Sequence, residues 1–297
     1  RARVEQANVF TRVTPAQKAR ILTALKARGH VVGFLGDGIN DATSLHTADA
    51  GISVADAVDV AKEAADLILL EQDLNVLRDG VREGRRAFVN VMKYIMMGTS
   101  SNFGNMFSMA GATLIVPYLP LLPVQVLLNN LLYDLSELAL PFDRVDEDAL
   151  SRPCRWDMGF VRRCMLTLGP VSSLFDFLTF LVLLAVFHAG EELFHTGWFV
   201  ESVASQVLVI FIIRTRFHPF TSRPDPSVTI LALLVVALAL CLPLLPWSAY
   251  LGFVALPGPL YAAIAVTVAG YLLAAQAAKR FFYAHELSPP PAHRASG

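Results

Sequence analysis

Long apolar stretches fill the last two-thirds of this sequence and constrain its fold more than any other feature. A helix needs about 20 apolar residues to cross a hydrocarbon core that is ~30 Å thick. Six stretches approach or exceed this length, near 92–115, 121–141, 164–188, 199–213, 228–250 and 258–278. The composition agrees, because only 16% of the residues are charged, against about 25% in soluble domains. The sequence therefore predicts an α-helical polytopic membrane domain with six spans over residues 89–284.

The distribution of basic residues predicts the orientation of those spans. The connecting segments 115–121, 188–199 and 247–258 contain no Lys or Arg, whereas the alternate connections and the C-terminal region contain 11. Because Lys and Arg are enriched on the cytoplasmic side, we expect the N-terminal block and the C-terminus to be cytoplasmic. Residues 285–297 are predicted to be a disordered cytoplasmic tail. The net charge of −1 gives no reason to expect nucleic acid as a partner.

The first 88 residues follow a different pattern, in which short apolar runs alternate with helical segments. We predict strands at 8–13, 31–35, 50–54 and 66–70, helices at 14–28 and 57–64, and one long helix that begins near residue 75. Thr14 and Pro15 are an N-cap and a first helical residue, and Gly29 is a stop signal. Strands that alternate with helices predict an α/β fold of the Rossmann type with a parallel sheet. In such sheets the catalytic and ligand-binding residues lie at the C-terminal ends of the strands.

A glycine-flanked acid follows the second predicted strand, in the segment Gly36-Asp37-Gly38-Ile39-Asn40-Asp41. The glycines allow a sharp turn that projects Asp37 from the strand end. A carboxylate in that position suits Mg²⁺, a hard cation that takes oxygen ligands and bridges to phosphate. Lys18, on the preceding helix, would neutralise the charge on a transferring phosphoryl group. A Gly-Asp-Gly turn alone is common, so the specificity lies in the whole segment.

Together with Thr14-Pro15-x-x-Lys18, this segment resembles the HAD-like phosphorylation domain of P-type ATPases, and segments 48–54, 59–66 and 67–71 continue the resemblance. The resemblance implies that Asp37 binds the catalytic Mg²⁺ and that Asn40 and Asp41 complete the same catalytic site. It implies that Lys18 contacts the aspartyl-phosphate, with Lys18 and Asn40 binding the phosphate of the cofactor. Thr43-Ser44 departs from the family, which usually has Pro-Ala there.

Three parts of that family have no counterpart in these 297 residues: the Asp-Lys-Thr-Gly-Thr motif with the phosphorylated aspartate, the Thr-Gly-Glu motif, and an ATP-binding domain. We therefore expect the chain to be the C-terminal portion of a pump whose partner is its own N-terminal half. ATP would be a substrate bound mainly by that other half. The chain alone is expected to form no phosphoenzyme.

Polar residues inside the predicted spans indicate a transport pathway, because a central acid costs about 2.5 to 3.5 kcal/mol on insertion scales. Asn102 and Asn105 are three residues apart, and Asn130, Asp134 and Glu137 follow a spacing of four and three, so each set shares one helix face. Two such helices would present amide and carboxylate oxygens to one transported cation.

Other polar residues of the spans are open to different interpretations. Thr99, Ser100 and Ser101 are more typical of contacts between helices. Asp176 is predicted either to pair with another span or to line the pathway, and Glu201 is predicted to lie nearer a membrane surface.

Segments 97–108 and 128–143 resemble the fifth and sixth membrane helices of bacterial magnesium-transporting P-type ATPases. Calcium pumps have an acid where this chain has Asn105. Magnesium-transporting P-type ATPases more often have Gln where this chain has Glu137. The resemblance implies ATP hydrolysis coupled to Mg²⁺ import across the bacterial plasma membrane, with the transported cation and the lipid bilayer as partners. A calcium or other cation pump and a non-catalytic truncated membrane fragment remain as alternatives. The coding sequence upstream of Arg1 would separate a pump from a fragment.

Overall fold

A computed structural model of the chain describes residues 4–71, 73–151 and 156–286. It consists of two compact units, Arg1–Arg85 and Arg86–Gly297. The domain limits that we predict at 88 and 284 stay a prediction. The predicted disordered tail lies outside the described residues, apart from its first two positions.

The N-terminal unit contains the predicted parallel sheet. In the described residues its elements are α1 (Pro15–Lys26), β1 (Gly33–Leu35), α2 (Ala42–Thr47), β2 (Ala50–Val54), α3 (Asp59–Ala64) and β3 (Leu67–Leu69). The strand order is β1-β2-β3, and both pairings are parallel. The α/β fold class is therefore confirmed. Leu45 and Ala61 are fully buried in the small core of this unit.

The start of α1 shows why its sequence begins a helix there. Gln17 N donates to Thr14 Oγ1 at 3.3 Å, and Thr14 N donates to Gln17 Oε1 at 2.8 Å. This reciprocal pair satisfies two backbone N–H groups that the first helical turn leaves unpaired. Pro15 occupies the first position, where a missing N–H costs nothing. The predicted helix start is confirmed.

The strand that we predict at 8–13 is wrong. That segment lies within the described residues and forms no strand. Arg12 has a φ of 53°, in the left-handed region that an extended strand cannot contain. Apolar residues alone do not make a strand, because a strand also needs a neighbour for its backbone hydrogen bonds.

The C-terminal unit is helical. The long helix α4 (Leu74–Ala112) leads into it, and the described elements that follow are α5 (Pro123–Glu137), α6 (Glu147–Leu150), α7 (Met158–Leu181), α8 (Glu191–Leu208), α9 (Ile210–Ile213), α10 (Pro226–Cys241) and α11 (Gly258–Glu286). Gly104 of α4 allows close packing against α7, since a Cβ there would lie 3.0 Å from the carbonyl oxygen of Gly169.

Four helices in the described part of the chain are long and apolar enough to cross a membrane. They cover Met158–Val186, Glu191–Ile213, Pro226–Leu244 and Gly258–Ala284. The first two predicted spans correspond to the end of α4 and to α5, which are helical but more polar; α5 has only 15 residues. The count of six spans therefore stays a prediction, whereas the polytopic helical architecture is confirmed.

A buried ionic cluster ties the connection after α5 to two other parts of the helical unit. The side chain of Asp143 is fully buried. Lys93 Nζ, on α4, donates to Asp143 Oδ2 at 2.7 Å, and Arg214 Nε, which follows α9, donates to the same oxygen at 2.9 Å. Asn90 of α4 adds a hydrogen bond to the backbone carbonyl of Asp143 at 2.9 Å. The cluster fixes this connection against the helices.

Candidate functional site

The C-terminal end of β1 positions the first candidate site. Gly36 N donates to the carbonyl oxygen of Ile52 at 3.0 Å, and Ser53 Oγ donates to the carbonyl oxygen of Gly36 at 2.9 Å. A Cβ at Gly36 would lie 2.6 Å from the Cβ of Asp41. Only glycine therefore fits between the strand end and Asp41. Asp37 is placed at the tip of the strand, as predicted.

Lys18 and Asp41 meet at this strand end. Lys18 Nζ, on the second turn of α1, donates to Asp41 Oδ1 at 2.7 Å, and Asp41 is only 8% exposed. This distance is typical of a charge-assisted hydrogen bond. The structure thus joins two of the predicted site residues in an ion pair, although they are 23 positions apart in the chain.

Asp37 and Asn40 differ in their surroundings. Asp37 is exposed and, with Lys18 and Asp41, lines a cleft of about 490 Å³. Its carboxylate has no hydrogen-bond or ion-pair partner among the described side chains, so its oxygens are available to a ligand. Asn40 is also exposed, in the short turn before α2, and is not among the described residues that line this cleft. A free carboxylate beside an ammonium group fits Mg²⁺ together with phosphate.

Asp73 also lines the cleft, although its role was not predicted from the sequence. It follows β3 and accepts a hydrogen bond from Asn75 N at 2.8 Å, which caps the start of α4. Its position after a parallel strand was the available signal, because the C-terminal ends of such strands share one edge. Three acids therefore border the cleft.

The structure divides the five predicted cation ligands of the helical unit into two groups. Asn105 and Glu137 are buried, at 8% and 3% exposure. Asn102, Asn130 and Asp134 are exposed. The edge of the buried surface passes between these residues, because a spacing of three to four residues is too coarse to locate that edge. Their role as cation ligands stays a prediction.

Asp134 and Glu137 nevertheless share one cavity. It has a volume of about 510 Å³ and is also lined by Asn90 and Tyr94 of α4. Glu137 Oε1 and Asn90 Oδ1 are buried and have no hydrogen-bond partner among the described atoms. Unpaired buried oxygens are costly, so each of these two needs a donor or a cation. Asn105 Oδ1, of another predicted ligand, is buried and unpaired in the same way. No group of three His, Cys, Asp or Glu that could hold a metal ion occurs in the described chain.

Asn129 is a buried polar residue that was not predicted as a site residue from the sequence. It is 1% exposed, and both side-chain polar atoms have no partner among the described residues. It lies on the same face of α5 as Tyr133, whose hydroxyl donates to Ser101 Oγ at 3.2 Å. The sequence contains two adjacent asparagines, and nothing local decides which one faces the interior.

The geometry defines a class of protein: a parallel α/β unit with an acidic, lysine-containing cleft, followed by membrane-length helices with buried polar groups. Comparison with known proteins gives the family. Residues 118–281 match the family "Cation transporting ATPase, C-terminus", which is more than half of the chain. The chain therefore belongs to the P-type cation-transporting ATPases and corresponds to their C-terminal region, and it is a multi-pass membrane protein.

Individual relatives agree with this assignment. The chain is 47% identical over 283 residues, 94% of its length, to "Magnesium-transporting ATPase, P-type 1" of Escherichia coli (strain K12), of which it covers 32%. It is 49% identical over 92% of its length to the protein of the same name from Salmonella typhimurium, of which it covers 31%. A "Calcium-transporting ATPase" of Bacillus subtilis is 31% identical over 80% of this chain, which covers 28% of it. The chain thus spans about a third of the length of these relatives.

Proposed function

We propose that this chain is the C-terminal part of a P-type ATPase that couples ATP hydrolysis, through an aspartyl-phosphate, to Mg²⁺ import across the bacterial plasma membrane. The observation that carries the proposal is the 47–49% identity to magnesium-transporting relatives over nearly the whole chain, against 31% to the calcium-transporting one. The phosphorylated aspartate and most of the ATP site would lie outside these 297 residues.

In the α/β unit, the free carboxylate of Asp37 would hold the catalytic Mg²⁺, which supplies charge neutralisation for phosphoryl oxygens. Lys18 would contact the phosphoryl group, and its ion pair with Asp41 holds the ammonium group at the mouth of the cleft. Asn40, exposed beside them, would orient phosphoryl oxygens or water. The cleft geometry supports the roles of Asp37 and Lys18, and the match with the family motif supports all three.

In the helical unit, Asn102, Asn105, Asn130, Asp134 and Glu137 are the proposed oxygen ligands of the transported cation. Two carboxylates with several amides suit Mg²⁺, which dehydrates reluctantly and keeps part of its water. The cavity shared by Asp134 and Glu137 supports this assignment, because it can hold a cation with attached water. By the distribution of Lys and Arg, the α/β unit and the C-terminus would be cytoplasmic.

The proposal is tested with the full-length pump in proteoliposomes, by measuring ATP hydrolysis and Mg²⁺ uptake together. We expect Asp37→Asn to abolish hydrolysis, whereas Asp59→Asn, an exposed acid on α3, leaves it unchanged. We expect Asp134→Asn to lower the apparent affinity for the transported cation, whereas Glu192→Gln, exposed at the start of α8, does not. Hydrolysis driven by micromolar Ca²⁺, with no Mg²⁺ uptake, would favour the calcium pump and refute the magnesium assignment.

A further inference from the structure

Two acidic side chains from neighbouring helices meet in the interior of the helical unit, and neither of them is a proposed cation ligand. Asp176 of α7 is 4% exposed and Glu201 of α8 is 1% exposed. Their side chains are hydrogen-bonded to each other. Our prediction that Asp176 either pairs with another span or lines the pathway is settled in favour of pairing. The prediction that Glu201 lies nearer a membrane surface is wrong, because the membrane-length helix runs over Glu191–Ile213 and Glu201 lies near its middle.

The partners of Asp176 identify it as the ionised member of the pair. Trp198 Nε1 donates to Asp176 Oδ1 at 3.0 Å, and an indole N–H can only donate. Ser108 Oγ, on α4, donates to Asp176 Oδ2 at 2.6 Å, a length typical of a hydroxyl bound to a carboxylate. Both oxygens of Asp176 therefore receive a donor, which favours the ionised form of Asp176 and assigns the shared proton to Glu201.

The hydrogen bond between the two acids must then use a proton of Glu201. Glu201 Oε2 is buried and has no hydrogen-bond partner among the described atoms, which is far less costly for a neutral acid than for a carboxylate. Two ionised carboxylates in contact inside a protein also repel each other strongly, so such pairs hold a shared proton.

No basic residue offers an alternative way to neutralise the pair. In the described part of the chain, neither acid forms an ion pair with Lys or Arg. The titratable group that faces both carboxyls from another helix is Tyr271 of α11. The other polar neighbour of Glu201 is the uncharged Ser205 on its own helix.

We propose that Asp176 and Glu201 form a proton-binding site inside the helical unit, with Glu201 holding the proton and donating it to the Asp176 carboxylate. The ligand is a proton rather than a divalent cation, because two donors already point at Asp176 and a cation there would meet their positive ends. Proton release converts the Glu201 acid into a second buried carboxylate. It therefore requires that α7 and α8 separate or that another positive charge arrives.

Infrared spectroscopy of the purified full-length protein in lipid nanodiscs tests this site at neutral pH. We expect a protonated carboxylic acid carbonyl band that shifts when glutamate is labelled with ¹³C and that is lost in Glu201→Gln. The matched control is Glu192→Gln, exposed on the same helix, which keeps the band. This readout needs no ATPase activity, so it can fail or succeed independently of the proposed function.

Thermal unfolding shows whether loss of the band in Glu201→Gln reflects loss of the proton site or destabilisation of the whole protein. Glu201→Gln keeps an N–H donor for Asp176, so we expect its unfolding midpoint to stay close to that of the unchanged protein. Asp176→Asn places an amide group among three donors, and we expect a lower midpoint. The proposal is overturned if the band persists in Glu201→Gln. It is equally overturned if saturating Mg²⁺ removes the band and Glu201→Gln weakens activation by Mg²⁺, which would make the pair a cation site.

Discussion

Replacement of Asp143 by asparagine tests whether the buried ionic cluster holds the helical unit together. Asp143 accepts four hydrogen bonds: from Lys93 Nζ at 2.7 Å, from Arg214 Nε at 2.9 Å and Nη2 at 3.1 Å, and from Asp225 N at 3.1 Å. Burial alone would raise the pKa of this carboxyl, but the hydrogen bonds from Arg214 and the charge of Lys93 hold the pKa below its usual value.

The expected magnitude follows from burial. Removing one partner of a buried ion pair costs about 3–5 kcal/mol, because the opposite charge stays buried without compensation. In Asp143→Asn two cations, Lys93 and Arg214, lose that compensation, and their side chains are 5% and 1% exposed. Asp148→Asn is the matched control. Asp148 pairs with Arg216 at 2.5 Å, but these side chains are 55% and 38% exposed, and such surface pairs contribute about 0–1 kcal/mol.

The assay is the apparent unfolding midpoint of the purified protein in nanodiscs, followed by intrinsic fluorescence and circular dichroism. We expect a large decrease for Asp143→Asn and little change for Asp148→Asn. Adding Lys93→Met to Asp143→Asn should recover part of the loss, since it removes one of the uncompensated charges. Equal midpoints for the two single variants would refute the reasoning that this cluster stabilises the helical unit.

Two further predictions concern the same cluster and the strand end. The pKa of Asp143 is lowered in the folded state, so its charge stabilises the fold fully above the ordinary carboxyl pKa. This stabilisation is lost as the pH falls through the pKa of the folded state. The difference in unfolding midpoint between the unchanged protein and Asp143→Asn should therefore shrink on acidification. Gly36→Ala should destabilise the α/β unit by about 1–3 kcal/mol, because its Cβ would lie 2.6 Å from that of Asp41. Gly33→Ala should not destabilise the unit, because a Cβ at position 33 would lie 3.9 Å from its nearest atom. Similar unfolding curves for the two variants would contradict the steric argument.

Local signals in the sequence predicted some elements well and others poorly, for physical reasons. The capping pair of Thr14 and Gln17 is complete within four residues, so the start of α1 could be predicted from the sequence. A strand depends on a partner elsewhere in the chain, and the segment 8–13 has none in the sheet that the structure describes. The family motif placed Lys18 and Asp41 in one site but did not predict the ion pair between them, and nothing local could place Asp143 between Lys93 and Arg214.

The polar residues of the helical unit fall into two kinds, and the distinction bears on which of them bind a cation. Asp176 accepts hydrogen bonds from Ser108 and Trp198 and is joined to a second acid, so both of its oxygens already have donors. Asn130 and Asp134 are exposed on α5 and have no side-chain hydrogen bond among the described residues. Polar groups facing hydrocarbon are costly, so this face is expected to meet water, protein or a cation rather than lipid. In the proposed function, a transported ion would therefore bind on this unsatisfied face, and the interior pair would keep its proton.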